Sequence, residues 1–148
     1  MLLQPKKFKY SKTHKGSATR YCQLKASKSN NRLVFGPVGL MALSSGYMTP
    51  QQVESLRKAL TLYSKKPFKM WVRLKPYIAR TQKASESRMG KGRGKIVQWV
   101  LFVRRGQVLF EFDTKLVHIF FNKTRLKPIT SRLPVKLHFV SNKDLVSY

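Results

Sequence analysis

Alternating apolar and polar positions predict several strands along the chain. Residues 32–35 form a short strand-like run that is closed by a Gly-Pro pair. Residues 69–74 alternate cations with apolar side chains, which is typical of a strand buried on one face. Residues 98–104 are apolar on both faces, so they predict a strand in the interior of a sheet. Residues 134–140 are the last segment of this kind, and we expect them to complete the sheet.

A turn signal connects the interior strand to a further alternating segment. Arg105-Gly106 stands between residues 98–104 and 107–112, and the second segment alternates cleanly. A short glycine-containing turn between two strand patterns is typical of an antiparallel hairpin. We therefore predict that these two strands are direct neighbours in one sheet.

Helical periodicity replaces alternation over residues 49–65. Thr49 is placed to cap the helix and Gln52 to complete a capping box, in which two backbone amides at the helix start receive side-chain acceptors. Glu54 stands four residues before Lys58, so we predict an exposed ion pair between them. The apolar face is expected to consist of Val53, Leu56, Leu60 and Tyr63.

A second helix is predicted over residues 114–126, and it must end before Pro128. The pattern as a whole predicts an α+β fold in which a mostly antiparallel sheet packs with two helices. We divide the chain into a basic N-terminal extension, residues 1–31, and a single α+β domain, residues 32–148, which also carries a loop of Gly, Lys and Arg.

Charge adds information on the partner. The 148 residues include 31 Lys and Arg but only 5 Asp and Glu, which gives a formal net charge of +26. A compact domain of this charge is expected to be neutralised by a polyanion, with nucleic acid the first candidate and an anionic membrane surface the second. Membrane insertion is not expected, because the longest apolar run, residues 99–103, is far shorter than the ~20 residues of a spanning helix.

The extension, residues 1–31, contains no acid and mixes its cations with Ser, Thr, Gly and Asn. A segment of this composition has too little apolar surface to order by itself, so we predict that it orders against RNA. Two other interpretations compete with this one. The segment could be a mitochondrial transit peptide, which is also acid-poor and Ser-rich, or a solvated tail.

The sequence does not have the patterns of nucleotide, metal or acid–base chemistry. A phosphate-cradling loop requires a hydroxyl after its Gly-Lys pair, and Ile96 stands at that place. The 3 histidines have no partner at helical spacing, and the single cysteine, Cys22, excludes a cysteine-rich zinc site. Glu111 and Asp113 imitate a catalytic carboxylate pair, but in so basic a chain we expect them to form salt bridges. We therefore predict a protein that is not an enzyme and takes no cofactor or metal ion.

The stretch SRMGKGRGK, residues 87–95, predicts a different kind of phosphate contact. Its alternate glycines let backbone amides approach phosphates, and its cations add charge along the same path. Arginines in such a loop can also stack on unpaired bases. A flexible, solvated basic loop is the competing interpretation. Trp71 has a similar ambiguity, since it could pack at a sheet edge or stack on a base.

Several short blocks occur in an order that is known from one protein family. They include QPKK at residues 4–7, the helix pattern over 49–59, WVR at 71–73, RMGKGRG at 88–94 and the turn and strand at 106–111. The blocks run from residue 4 to about residue 140. In these blocks the chain resembles the bacterial-type large-subunit ribosomal protein L-sixteen family, whose loop reads RMGKGKG.

The resemblance implies a structural constituent of the large ribosomal subunit that binds large-subunit rRNA near the aminoacyl-tRNA site. The implied partners are that rRNA, the tRNA in the aminoacyl site and other large-subunit ribosomal proteins, with no membrane insertion. An extraribosomal RNA-binding protein of similar fold is the alternative. The residues expected to contact rRNA or tRNA are Lys6, Lys7, Lys12, His14, Lys15, Arg57, Lys58, Arg73, Arg88, Met89, Gly90, Lys91, Gly92, Arg93, Gly94 and Lys95.

Departures from the family pattern bear on location. Residues 76–81 are basic where the family has an acidic stretch. The resemblance begins at residue 4, which we expect to leave no room for a presequence, and the bias towards Lys, Phe, Asn and Tyr indicates an AT-rich genome. Our hypothesis is a protein encoded and used inside a mitochondrion, on the ribosome of the matrix. A plastid or the bacterial cytoplasm is the alternative.

Overall fold

A computed structural model describes residues 4–5, 31–64, 68–90, 92–113, 130–131 and 133–141. In chain order, the elements are the strands β1 (Val38–Ala42) and β2 (Gly46–Met48), the helix α1 (Pro50–Ser64), and the strands β3 (Met70–Val72), β4 (Ile78–Gln82), β5 (Lys95–Val103), β6 (Val108–Phe112) and β7 (Leu137–Ser141). All the strand pairs among these elements are antiparallel, which confirms the predicted α+β class. The predicted second helix, 114–126, lies outside the described residues.

Strand β1 lies inside a four-stranded sheet of order β3-β6-β1-β7. Leu40 of β1 is opposite Phe110 of β6 on one side and opposite Phe139 of β7 on the other. Every residue of β6 is buried, because this strand has a neighbour at each edge and packed groups on both faces. The sheet therefore has its most apolar strands in the middle, where both faces are covered.

Strand β5 lies between β2 and β4 in a second, three-stranded sheet. Its residues 99–103 are all buried, which confirms the interior strand predicted from the apolar run at 98–104. The two strands beside it were not predicted from the sequence. β2 has only 3 residues, too few to show a period, and β4 is only partly buried and reads IARTQ, without an apolar run.

The hairpin predicted between residues 98–104 and 107–112 is wrong. The glycine turn is present, with Gly106 at φ 79°, but β5 and β6 leave it in different sheets. The end of β1 accounts for this, because the Gly106 N–H donates to the Ala42 carbonyl at 2.7 Å and the Ala42 N–H donates to the Gln107 carbonyl at 2.9 Å. Strand β1 thus occupies the position beside β6 that a hairpin would have given to β5.

The helix begins as predicted. The Thr49 N–H donates to Gln52 Oε1 at 2.9 Å, and the Gln52 N–H donates to Thr49 Oγ1 at 3.2 Å, which completes the reciprocal capping box. The predicted ion pair is wrong in its partner, since Glu54 pairs with Arg57 at 2.7 Å rather than with Lys58. Arginine is favoured here because its planar guanidinium contacts both carboxylate oxygens. Of the predicted apolar face, Val53, Leu56 and Leu60 are buried, while the side chain of Tyr63 lies outside the described part of the chain.

The strand predicted at residues 32–35 is also wrong, since the first strand begins after the Gly-Pro pair, at Val38. Residues 34–36 instead direct their backbone amides to the carboxylate of Glu111, so these amides are not available for a ladder. The strands predicted at 69–74 and 134–140 are confirmed as β3 and β7, with shifted ends.

One hydrophobic core joins both sheets to the helix. It takes side chains from β1, β2, α1, β5, β6 and β7, and the helix packs against β5. Its largest fully buried side chains include Phe110, Phe112, Leu40, Met48, Leu56 and Leu60. Because this core fixes β5, it also fixes the base of the loop that precedes β5.

Candidate nucleic-acid interface

Strands β4 and β5 form an antiparallel hairpin, and the loop that connects them carries the sequence SRMGKGRGK. The last paired residues are Gln82 and Lys95. All the described residues from 83 to 93 are exposed, and Gly94 is half-buried. The loop therefore lies on the surface, while its two ends are held by the ladder of the three-stranded sheet.

The three glycines of this loop have different structural settings. A Cβ on Gly94 would overlap the backbone carbonyl of Gln82, so this glycine lets the two strands meet at the base of the loop. Gly92 has φ 111°, a backbone conformation that other residues rarely adopt. A Cβ on Gly90 would meet nothing within 4 Å. Glycine is therefore required by the backbone conformation at position 92 and by the facing strand at position 94. At position 90, no described contact within the chain requires glycine.

The loop concentrates positive charge around a groove of about 560 Å³. The cations that line this groove are Lys83, Arg88, Arg93 and Lys95. Lys83 Nζ donates to the Gly90 carbonyl at 2.7 Å, which connects the start of the loop to its middle. Met89 is 99% exposed, and Glu86 is the one acid in residues 83–95. The groove is therefore suited to an anion that approaches from outside the chain.

The other predicted contact residues that the structure describes, Arg57, Lys58 and Arg73, do not line this groove. Arg57 is bound to Glu54, and this hydrogen bond lowers the pKa of the Glu54 carboxyl and raises the pKa of the Arg57 guanidinium. Lys58 is exposed on the same helix. Arg73 points inward, where its Nη1 donates to Glu111 Oε1 at 2.7 Å. The predicted residues that lie outside the described part are Lys6, Lys7, Lys12, His14, Lys15 and Lys91.

The role of Glu111 was not foreseen from the sequence. This side chain is completely buried, and its Oε2 accepts the N–H groups of Val34, Phe35 and Gly36 at 3.0, 2.5 and 3.0 Å. The predicted salt bridge is confirmed for Glu111, which pairs with Arg73. One signal of this role was present in the sequence, a single acid inside the apolar segment VLFEF. An acid that is buried in such a strand must be both paired and hydrogen-bonded.

The amides bound by Glu111 hold the Phe35 ring beside Trp71. The two ring centroids are 6.0 Å apart and the ring planes differ by 23°, which is a stacked arrangement. Lys69 Nζ lies 5.3 Å from the centroid of the Trp71 ring. Trp71 therefore packs within the chain, whereas Phe35 is 56% exposed.

Other kinds of site have little support in the described part of the chain. Among its residues, no group of three or more His, Cys, Asp or Glu could hold a metal ion. Asp113 is exposed and takes part in no ion pair within the described ranges, so the salt bridge expected for it is not seen there. None of the described helices has the length and apolar character needed to cross a membrane.

Comparison with known proteins gives a consistent result over nearly the whole chain. Residues 5–140 match the family model described as ribosomal protein L16p/L10e. The chain is 36% identical over 143 residues to large ribosomal subunit protein uL16c of Cyanidium caldarium, covering 97% of each chain. It is 39% identical over 143 residues to uL16 of Karelsulcia muelleri, covering 94% of this chain and 97% of the relative. It is 35% identical over 144 residues to uL16 of Staphylococcus carnosus, covering 97% of this chain and 95% of the relative.

Proposed function

The chain belongs to the ribosomal protein L16p/L10e family, and from this premise we propose that it is a structural constituent of the large ribosomal subunit. In this role it binds large-subunit rRNA near the aminoacyl-tRNA site, supports translation and performs no catalysis of its own. Its partners are that rRNA, the tRNA in the aminoacyl site and neighbouring large-subunit proteins. The similar proteins from Cyanidium caldarium and Staphylococcus carnosus are both named as large ribosomal subunit proteins.

The observation that carries the RNA contact is the setting of Gly90. Gly90 is exposed, and a Cβ there would meet nothing within 4 Å. The cations Arg88, Arg93 and Lys95 of the same loop line a groove together with Gly92 and Gly94. A phosphate group could therefore approach the backbone of this loop closely and be neutralised by its side chains. Arginine adds the option of bidentate contacts with the phosphate oxygens.

The other predicted contacts contribute in different ways to this proposal. Lys58 offers an exposed charge from the helix, whereas Arg57 is paired with Glu54, which offsets its charge. Arg73 is held by Glu111, so we assign it to the support of the fold rather than to the RNA surface. The cations of the extension remain predicted rRNA contacts.

The mitochondrial location remains our hypothesis. The relatives include plastid and bacterial forms, so these two locations are the alternatives. Cell fractionation with an antibody against this chain separates them. A signal in mitochondria that resists added protease would support the hypothesis, and a signal in plastids alone would overturn the location without affecting the ribosomal role.

Sedimentation of a lysate through sucrose tests the ribosomal assignment directly. We expect this chain to sediment with the large subunit and the monosome, and to leave both positions after ribonuclease treatment. A chain that stays at the top of the gradient with and without ribonuclease would contradict the proposal and favour the extraribosomal alternative.

Substitutions in the loop test the site. The triple variant Arg88→Gln, Arg93→Gln, Lys95→Gln should bind large-subunit rRNA more weakly, and the slope of log affinity against log salt should fall in magnitude by about 2 to 3. A matched control removes the same charge from exposed positions elsewhere, with Lys75→Gln, Arg105→Gln and Lys136→Gln. Both variants have the same net charge. If the loop contacts RNA specifically, the loop variant should lose more aminoacyl-tRNA binding in reconstituted subunits than the control variant does. Equal losses would contradict the assignment of the loop.

A further inference from the structure

We propose that Phe35 is a stacking platform for an unpaired RNA base, at a site separate from the glycine loop. The inference rests on the proposed function, because it takes RNA as the partner. It adds a second contact of different chemistry, in which an aromatic face binds a base rather than a cation binding a phosphate. The platform consists of Phe35, the ring of Trp71 beneath it and the adjacent ammonium group of Lys69.

The position of Phe35 is held by hydrogen bonds that do not depend on its side chain. The amides of Val34, Phe35 and Gly36 all donate to one oxygen of the buried Glu111 carboxylate. The other oxygen accepts from Arg73, which fixes the carboxylate in turn. A ring presented on such a backbone loses little conformational freedom when a ligand binds, so binding there is favoured over binding to a mobile aromatic residue.

The Phe35 ring is stacked against Trp71, and more than half of the Phe35 residue is exposed. Its centroid lies 6.0 Å from that of Trp71, with 23° between the planes, yet 56% of the residue is exposed. A planar group can therefore add its own face to this stack. Every nucleobase has such a face, and stacking on an aromatic side chain is a common way to bind unpaired RNA.

The charges around the platform favour RNA over an apolar protein surface. Lys69 is exposed beside it, Arg32 is exposed three residues before Phe35, and the Glu111 carboxylate is buried and hydrogen-bonded through both oxygens. Asp113 lies opposite Lys69 across the strand pair, so it offsets one of these two charges, and the balance at the surface is positive. A base that stacks on Phe35 brings its phosphates within reach of these cations. An apolar protein partner would instead have to bury them.

The test compares Phe35→Leu with Phe35→Tyr in the full-length chain. Leucine keeps the apolar bulk but removes the ring, whereas tyrosine keeps the ring. The probes are an unstructured oligouridylate and an RNA duplex of equal length, each titrated at several salt concentrations. Leu62→Ala is the matched control, because Leu62 is also an exposed apolar residue, at 78%, but stands on the helix. Circular dichroism of each variant checks that the fold is retained.

We expect Phe35→Leu to bind the single strand about 5- to 150-fold more weakly, the range for one lost stacked base, with the duplex little affected. Phe35→Tyr and Leu62→Ala should bind like the wild type. The loss should be the same at every salt concentration, because stacking releases no counterions. Ultraviolet cross-linking of the wild type to the single strand should place RNA on Phe35.

Two results would overturn the proposal. Unchanged single-strand affinity of Phe35→Leu, together with no cross-link at Phe35, would show that no base stacks there. Normal RNA affinity but weaker co-sedimentation with large subunits would identify a protein partner instead. Failure of the proposed function would look different, because the wild-type chain itself would then not sediment with large subunits.

Discussion

Replacing Glu111 by glutamine should destabilise the domain far more than the same kind of replacement at any other acid in the described part of the chain. Glutamine has nearly the same shape but no charge, and one of its two terminal atoms becomes a donor. If its oxygen faces the amides of residues 34–36, its NH₂ group faces the Arg73 guanidinium, which is also a donor. If the amide is flipped, its NH₂ group faces the three backbone donors. No orientation satisfies both sets of partners.

The size of the effect follows from the burial of the pair. The side chain of Glu111 is 0% exposed and that of Arg73 is 16% exposed, at an N–O distance of 2.7 Å. Removing one partner of a buried ion pair costs about 3–5 kcal/mol. We expect the lower end, about 3 kcal/mol, because Arg73 keeps some contact with water and with the carbonyl of Arg32. For a chain of this length, that loss lowers Tm by about 6–12 °C.

Urea unfolding of the full-length chain, followed by circular dichroism at neutral pH, measures the change. Glu86→Gln is the matched control, because it makes the same change of charge at an exposed position and should alter stability by less than about 0.5 kcal/mol. A double variant with Arg73→Met should recover part of the loss, since it no longer leaves a buried charge unpaired. If Glu111→Gln were as stable as Glu86→Gln, the carboxylate could not be what holds residues 34–36.

Four further substitutions test other parts of the structure by the same unfolding assay. Gly94→Ala should lower the free energy of unfolding by about 1–3 kcal/mol, because its Cβ would overlap the facing strand. Gly90→Ala should leave stability unchanged and weaken only RNA binding. Equal stabilities of the two variants would refute this difference. Thr49→Ala should cost about 1 kcal/mol by removing the helix cap, and a loss near zero would mean that the cap is not formed in solution. Glu54→Gln should cost only about 0.2–0.5 kcal/mol at neutral pH. Because Arg57 lowers the pKa of Glu54 in the folded state, this small stabilisation is present above the unfolded pKa and is lost as the pH falls through the folded pKa; a difference that persisted in strong acid would contradict the pairing.

Most predictions that depend on neighbouring residues agreed with the structure, the exception being the ion pair of Glu54, which forms with Arg57 rather than with Lys58. The capping box at Thr49 and Gln52 was predicted because its two hydrogen bonds join residues three apart. The buried face of the helix followed from its period, and the interior strand β5 followed from an unbroken apolar run. The glycine-basic loop was also found exposed, as expected for a loop that meets a partner.

Predictions that required a choice among distant partners were less successful. The turn at Gly106 was recognised, but a hairpin was inferred because the sequence does not show that β1 takes the place beside β6. The run at residues 32–35 has strand-like composition, but its amides are used by a carboxylate far along the chain. In both cases the local pattern was compatible with two hydrogen-bonding arrangements, and the packing of the whole domain selected one.

Composition and residues close in the chain were enough to predict a polyanionic partner, the family, the capped helix and an exposed basic loop. The folded structure was needed to show that Glu111 binds amides 75 to 77 residues away, that Phe35 is presented at the surface, and that Gly90 and Gly92 have open space around them while Gly94 does not. A buried charge and a strand edge must each find a partner, and folding brings that partner from a distant part of the chain.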